Sequence, residues 1–403
     1  MKIALIKERK NPPDRRVVLT PEQAAELMKK FPGLEIVVEK SEGRAFSDDE
    51  YKEKGIKIVE DVNDADVLLG VKEVPIDALI PGKKYFFFSH TIKKQPYNRK
   101  LLQSILDKNI ELYDHETITG QDGKRLVAFG YYAGVVGAYN TIRTFGLKSG
   151  LFEIPRAVDL KDKKALIETL QKVKPLLPPI KIVLTGKGRV GNGAKEMLDK
   201  MGIKEVSPED FLSKTFEEPV YTQIDVDSYN KHKENKPFDF QEFFTKPENF
   251  TGDFEKFTKV ADVYIAGHFY GQGAPYIFTR EMAQSPGNKI KVVGDISCDI
   301  NGPVVSTIRA STIADPIYGY DPATGEETNY KEENAIAVMA VDNLPNEIAR
   351  DASEGFGKQF ETYIIPAFFN NDKDGILERA KMTENGKLTP RFSYLQDYVD
   401  GKE

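Results

Sequence analysis

The sequence predicts an α/β protein built from two mostly parallel sheets, and three observations carry that expectation. Short apolar, β-branched runs alternate with helical patterns along the chain, as in a parallel sheet crossed by helices. One of those runs opens directly onto a glycine-rich turn and a helix. The 403 residues, 40% apolar and 30% charged, suffice for two domains with cores of their own.

Residues 1–130 read as the first α/β unit. Lys2–Lys7 is a strand, and Thr20-Pro21 starts a helix with Thr as N-cap, Pro at the first position and Gln23 at the third. Glu35–Glu39, Asp66–Val71 (DVLLGV), Lys84–Ser89 (KYFFFS) and Ile110–Asp114 follow as strands, with helices over Pro21–Lys30 and Asn98–Lys108. Tyr131–Phe145 is a helix rich in Gly and Ala, suited to close packing and placed to bridge into a second domain. Lys161–Leu176 has the pattern of an amphipathic helix.

Ile182–Leu184 is a run that suits a strand buried on both faces. Gly186-Lys187-Gly188-Arg189-Val190-Gly191 then fits G-x-G-x-x-G, and Ala194, Met197, Leu198 and Met201 give the following helix its apolar stripe, with Gly202 placed to end it. Strand, glycine turn and helix is the context that a dinucleotide site requires. The backbone approaches a pyrophosphate there, and the helix N-terminus favours its charge. Lys204–Val206 reads as the second strand of this Rossmann-like domain, Phe211–Thr258 as an insertion, and Val263–Ala266, Ile290–Val293 and Ile336–Val341 as further strands. Pro345–Phe369 reads as a helix crossing back to the first domain. The expected organisation is 1–131 plus 345–403 as one Rossmann-like domain and 132–344 as the dinucleotide domain, with an interdomain cleft and an insertion near 211–258.

Composition excludes several functions. A net charge of −6 argues against non-specific nucleic-acid binding. Cys298 is the only cysteine, and the four histidines lack ligand spacing, so neither a disulfide framework nor a metal site is expected. No apolar run approaches a membrane span, and the charged start MKIALIKERK does not suit a signal peptide, so a cytoplasmic protein is expected.

Candidate chemistry gathers at strand ends. Lys72 follows DVLLGV and His90 follows KYFFFS, two positions that face the crevice in open α/β sheets. A lysine carried on an apolar strand has its ammonium form disfavoured, which suits proton transfer. Arg15-Arg16 and Arg125 are candidates for holding carboxylates in an acidic protein. Asp295 and Asp299, and Asp342-Asn343, follow strands of the second domain as nicotinamide-side groups or turn formers.

The stretches DRRVVLTP, LLGVKEVP, FFFSHTIKKQ, GKRLVAFGYYAGVVGA, TGKGRVGNGA, GDISCDINGPV, STIADPIYGYD, VDNLP and DASEGFGKQF together resemble the lysine-forming saccharopine dehydrogenases. They resemble in particular the lysine–ketoglutarate reductase portion of the bifunctional aminoadipate semialdehyde synthases, within the alanine dehydrogenase and transhydrogenase superfamily. The resemblance implies reversible condensation of L-lysine and 2-oxoglutarate to saccharopine with NAD or NADP. It implies Lys72 and His90 as the acid/base pair, with Arg16, Glu73, Glu116, Arg125 and Phe129 lining the substrate site. Gly186, Gly188, Arg189 and Gly191 would border the cofactor, with Asp295 and Asp342 at its nicotinamide end. Glu73 follows the lysine as in the fungal NAD-dependent enzymes, whereas the bifunctional reductases tend to have arginine there. At the end of the expected second strand, Ser207 replaces the acidic residue that binds the ribose of NAD, which favours NADP. The second enzyme of the bifunctional proteins is not expected within 403 residues. An alanine or other opine-type dehydrogenase and a non-catalytic nucleotide sensor are the alternative functions. The oligomeric state is left open.

Overall fold

The computed structural model describes residues 1–402 and divides into two compact units, Met1–Phe129 with the segment from Ala349 onward, and Gly130–Ile348. In the first unit the chain runs through β1 (Lys2–Leu5), α1 (Pro21–Lys30), β2 (Glu35–Glu39), α2 (Asp48–Glu53), β3 (Lys57–Val59), β4 (Val67–Leu69), β5 (Lys84–Phe87), α3 (Arg99–Asp107) and β6 (Glu111–Asp114). The six strands form one parallel sheet in the order β3-β2-β1-β4-β5-β6. The start of α1 follows its sequence signal: Thr20 Oγ1 accepts from the Gln23 amide at 3.3 Å and the Gln23 side chain accepts from the Thr20 amide at 3.0 Å. Pro21 occupies the first turn, where no intrahelical donor is needed.

The second unit begins with the long helix α4 (Gly130–Ser149), followed by α5 (Lys163–Val173), β7 (Lys181–Thr185), α6 (Arg189–Met201), β8 (Lys204–Glu205), α7 (Pro208–Ser213) and β9 (Val220–Ile224). Then come α8 (Val226–Tyr229), β10 (Asn230–His232), α9 (Phe240–Thr245), β11 (Phe250–Gly252), α10 (Glu255–Thr258), β12 (Val263–Ala266), α11 (Arg280–Gln284), β13 (Val292–Asp295), β14 (Ile317–Tyr320), β15 (Glu327–Thr328) and β16 (Ile336–Met339). Its eight-stranded sheet has the order β15-β14-β16-β13-β12-β7-β9-β8, with β14 antiparallel to β15 and β16 and the remaining pairs parallel. α4 crosses α6 closely enough that a side-chain carbon on Gly134 would lie 2.0 Å from the Val190 carbonyl oxygen. The small residues of α4 therefore serve the core of this unit.

The topology corrects the expected insertion. Residues 211–258 contain β9, which pairs in parallel with the fingerprint strand β7 over its whole length. Thr222 and Gln223 are both buried in β9 and interrupt its apolar run, so VYTQI does not read as a central strand. The segment foreign to the sheet is the shorter stretch carrying α8, the β10–β11 hairpin and α9.

Glu347, just before the chain leaves this unit, is buried and accepts from Asn140 Nδ2 at 2.8 Å. Burial pushes its carboxyl from 4.5 up to about 7, against the opposing hydrogen bond of Asn140. The folded state thus keeps a proton that the unfolded chain has released, so stability falls as pH rises from 4.5 to about 7. Glu347→Gln is expected to remove that fall, raising stability at pH 8 by up to about 3 kcal/mol and leaving it unchanged near pH 4. Thermal melts of both proteins across this range measure it, and parallel profiles would refute it.

From Ala349 onward the chain rejoins the first unit through α12 (Ala349–Gln359), a π-helical turn (Phe360–Ile364), α13 (Ile365–Phe369), α14 (Ile376–Ala380) and the hairpin β17 (Thr383–Glu384) and β18 (Lys387–Leu388). Gln359 Oε1 accepts from the Ala128 amide at 2.7 Å, and Gln23 Nε2 donates to the Glu354 carbonyl at 2.8 Å. No helix among the described residues is long and apolar enough to cross a membrane.

Candidate active site

Four strands of the first sheet deliver titratable groups to one edge, because parallel strands place their carboxyl ends side by side. Glu8 follows β1, Lys72 follows β4, His90 follows β5 and Glu116 follows β6. Glu8 was not singled out in the sequence, where KERK reads as a solvated loop. Its carboxylate accepts from the amides of Val71 at 2.7 Å and Lys72 at 2.9 Å, tying the end of β1 to the end of β4. The residue is half-buried but its carboxyl group is enclosed, and desolvation pushes it up to about 7.

Lys72 Nζ makes no hydrogen bond or ion pair to a described residue. Burial lowers its pKa from the ordinary value, the charges of Arg16 and Lys10 add to the fall, and Asp14 and Glu73 oppose it. The neutral amine is therefore more accessible here than on a solvated lysine.

His90 is held in the left-handed region at φ 54°, which is uncommon for a residue with a side chain. Its Nδ1 lies 2.5 Å from Glu73 Oε1, and its Nε2 lies 3.7 Å from Glu116 Oε1. An ionised carboxylate only accepts, so Nδ1–H donates to Glu73 and leaves Nε2 as the nitrogen that can exchange a proton. Burial alone would raise the Glu73 carboxyl, but the hydrogen bond and charge of His90 outweigh it and bring it down to about 2. The ring of Phe88 stacks against His90 with centroids 6.0 Å apart.

Arg16 and Phe129 are brought together, the guanidinium lying 4.2 Å over the ring, and Phe129 stacks on Phe356 at 4.1 Å. Arg125 lies 5.9 Å over the ring of Phe88. Arg16 is buried, and its Nε–Nη2 edge is taken by Asp14 at 2.9 and 2.7 Å. Asp14 is a second residue that sequence reasoning passed over. His115 supports this floor: its Nε2 donates to the Gly70 carbonyl at 2.8 Å, and burial pushes its pKa down to about 3. It is a neutral packing residue against Phe88 and Phe356.

In the second unit the three fingerprint glycines differ in what they are for. Gly186 has φ 95°, and a side-chain carbon on Gly191 would sit 1.9 Å from the Gly186 carbonyl oxygen. Both are demanded by the turn itself. A carbon on Gly188 would meet nothing within 4 Å. Gly188 is also the N-cap of the 13-residue α6, and no side chain caps that end. An open glycine at an uncapped helix N-terminus fits a pyrophosphate, so these residues would hold a dinucleotide cofactor. Arg189 is exposed on the first turn of α6.

Two expected cofactor residues are engaged in local structure. Ser207 follows β8, which is the outermost strand and is separated from β7 by β9. Its Oγ caps α7 by accepting from the Asp210 amide at 3.2 Å. The strand beside the fingerprint ends at Ile224, so the position flanking the glycine turn belongs to Asp225. Asp295 is completely buried, and its oxygens accept from Ser297 Oγ and Thr307 Oγ1 at 2.6 Å and from the Cys298 amide at 3.1 Å. These bonds order the turn after β13. Asp342 is exposed beyond the end of β16.

Residues 4–136 match the family model described as alanine dehydrogenase/PNT, N-terminal domain. The mouse mitochondrial alpha-aminoadipic semialdehyde synthase is 28% identical over 100% of this chain and 48% of its own length. The chain thus spans about half the length of that relative. The Yarrowia lipolytica protein named saccharopine dehydrogenase [NAD(+), L-lysine-forming] is 26% identical over 86% of this chain and 87% of its own length. An L-alanine dehydrogenase structure superposes with a TM-score of 0.68 at 17% identity, covering 99% of this chain and 100% of that one, which shows a shared fold. Residues 4–136 are therefore similar to the alanine dehydrogenase/PNT N-terminal domain, and the chain as a whole is similar to proteins named saccharopine dehydrogenase and alpha-aminoadipic semialdehyde synthase.

Proposed function

We propose that this chain is a nicotinamide-dependent amino-acid dehydrogenase that reversibly condenses L-lysine with 2-oxoglutarate to saccharopine. The observation that carries the reading is a half-buried lysine amine without a hydrogen-bond partner among the described residues, one strand away from an imidazole held by a carboxylate. Two sets of homologues, named for saccharopine and for aminoadipic semialdehyde, support the choice of substrates.

Lys72, favoured in its neutral form, takes the proton that an incoming ε-ammonium must lose before it attacks the keto carbon. His90, oriented by Glu73, gives a proton from Nε2 to the carbinolamine oxygen, which leaves as water. Arg125 and Arg16 supply the positive charge that attracts the substrate carboxylates over the Phe88 and Phe129 rings. The nicotinamide cofactor supplies or accepts the hydride when bound.

The cofactor we favour is NAD. Asp225 stands where a carboxylate binds the ribose hydroxyls of NAD and repels a 2′-phosphate, which reverses the expectation built on Ser207. Asp225→Ser is expected to weaken NADH binding roughly 10- to 100-fold and to improve the NADPH to NADH ratio of kcat/KM, since a charged hydrogen bond contributes about 1.5–3 kcal/mol. An unchanged ratio would return the choice to NADP.

The test of the reaction is loss of nicotinamide absorbance on mixing the protein with NADH or NADPH, 2-oxoglutarate and a panel of amines. Oxidation with lysine supports the proposal. Oxidation only with another amine moves the chain to an alanine or opine-type dehydrogenase, and none with any amine favours a nucleotide sensor.

A further inference from the structure

The backbone at Lys72 is held by a side chain that the chemistry above does not use. The ladder between β1 and β4 runs as far as the Ile6 amide, which donates to the Leu69 carbonyl at 3.0 Å. Beyond that point the Glu8 carboxylate takes the place of the ladder. One of its oxygens accepts from the Val71 amide at 2.7 Å and the other from the Lys72 amide at 2.9 Å. On the side of β5, the Gly70 amide donates to the Phe86 carbonyl at 2.8 Å and the Val71 carbonyl accepts from the Phe88 amide at 2.9 Å. His115 Nε2 donates to the Gly70 carbonyl at 2.8 Å. Residues 70–72 are therefore fixed on both flanks, although they lie past the end of β4.

Both the residue type and its ionisation matter to this clamp. Each oxygen faces an N–H, so a glutamine would turn its own amino group against one of the two amides. A protonated carboxyl would turn its O–H the same way, and only a carboxylate accepts at both positions. Enclosing it is costly: desolvation raises the carboxyl to about 7 against the two amide bonds, with Asp14 adding to the rise and Arg16 opposing it. A link needed only for packing would not call for an enclosed charge. The Lys72 amine is acted on by the same two neighbours, Arg16 and Asp14, together with Lys10 and Glu73.

We infer that Glu8 is a positioning residue for Lys72, its carboxylate fixing the backbone from which the amine extends and so the place of that amine, one strand from the His90–Glu73 pair. Lys72 Nζ has no hydrogen bond or ion pair to a described residue, so its own backbone is what locates it. The inference rests on the reading of Lys72 as the base. Glu8 acts through Lys72 and needs no contact with substrate or cofactor.

The test compares the full chain with Glu8→Gln, which is of equal size, and Glu8→Asp, which keeps the charge but withdraws it by one methylene. Both variants are expected to lower kcat about 10- to 100-fold, the scale of a misplaced reacting group, with NADH affinity within about twofold. In both, the acid limb of the pH profile is expected to move up toward the ordinary lysine value, because a loosened Lys72 is better solvated. The pH dependence of Lys72 acetylation by acetic anhydride, read by peptide mass spectrometry, follows the same amine without turnover. A role through charge alone gives the opposite pattern: the limb falls in Glu8→Gln and stays in Glu8→Asp. A merely structural role lowers the melting temperature and leaves the limb, and kcat per folded molecule, unchanged. Either result overturns the inference. Fast hydrogen exchange at the Val71 and Lys72 amides of the unmodified chain overturns it as well, without any variant. If Lys72→Met keeps the limb, the reading of Lys72 as the base fails. If Lys72→Met loses it while both Glu8 variants keep it in place, only the role of Glu8 falls.

Discussion

Lys72→Met is expected to lower turnover by a factor on the order of 10²–10⁴, the usual contribution of a positioned acid or base, while leaving NADH affinity within about twofold. The separation follows from placement: Lys72 belongs to the first unit and the glycine turn to the second. His90→Gln is expected to lose turnover on the same scale, because glutamine can still donate to Glu73 but offers no ring nitrogen to pass a proton. The pH profile adds a sign. Activity that needs the neutral Lys72 amine falls as pH drops through its pKa, which burial places below the ordinary lysine value. That limb should vanish in Lys72→Met and persist in His90→Gln. Steady-state kinetics and direct NADH titration of both variants decide the matter. Loss of nucleotide binding with intact turnover would show that the roles are misassigned.

The second large effect is a contrast between two glycines three residues apart. Gly191→Ala is expected to destabilise the protein by about 3 kcal/mol or more. Its new carbon would press on the Gly186 carbonyl, and both atoms belong to backbone that the turn holds in place. Gly188→Ala should change stability by less than about 1 kcal/mol, since nothing lies within 4 Å of the added carbon. It should nonetheless weaken dinucleotide binding tenfold or more, because the methyl group occupies the path of the pyrophosphate. Thermal melts separate the stability terms and calorimetry the binding terms. Wild-type affinity in Gly188→Ala would mean that the phosphates do not pass over this glycine.

Those two residues illustrate how far the sequence could be read. Local signals were legible where one stretch of chain contains its own reason. The Thr20 capping box, the glycine turn followed by α6, and the apolar strands before Lys72 and His90 are of this kind. Signals that depend on pairing were not. Thr222 and Gln223 make β9 look polar, and only the sheet shows that it lies between β7 and β8. Reading past it put Ser207, instead of Asp225, at the end of the strand beside the glycine turn. Burial was equally hidden. Asp14 and Glu8 lie in a charged loop that looks solvated, yet one takes an edge of Arg16 and the other ties β1 to β4. Asp295 met the opposite fate, a strand-end carboxylate turned inward onto Ser297 and Thr307.

The split of the first unit also dictates the order in which the molecule can be made. The outer strand β6 of the first sheet is covered by residues that follow the entire second unit. Thr383 Oγ1 accepts from the Leu112 amide at 2.9 Å, the Met382 amide donates to the Leu112 carbonyl at 2.8 Å, and Phe356 packs on Phe129 and His115. The second unit is one continuous stretch and can close as soon as it leaves the ribosome. The first must wait, with a bare strand edge and an aromatic face open to water, for tens of seconds at about 5–20 residues per second. A nascent chain of this protein therefore finishes its middle before its beginning, and chaperone occupancy during synthesis should concentrate on residues 110–129 until Ala349 and its successors emerge.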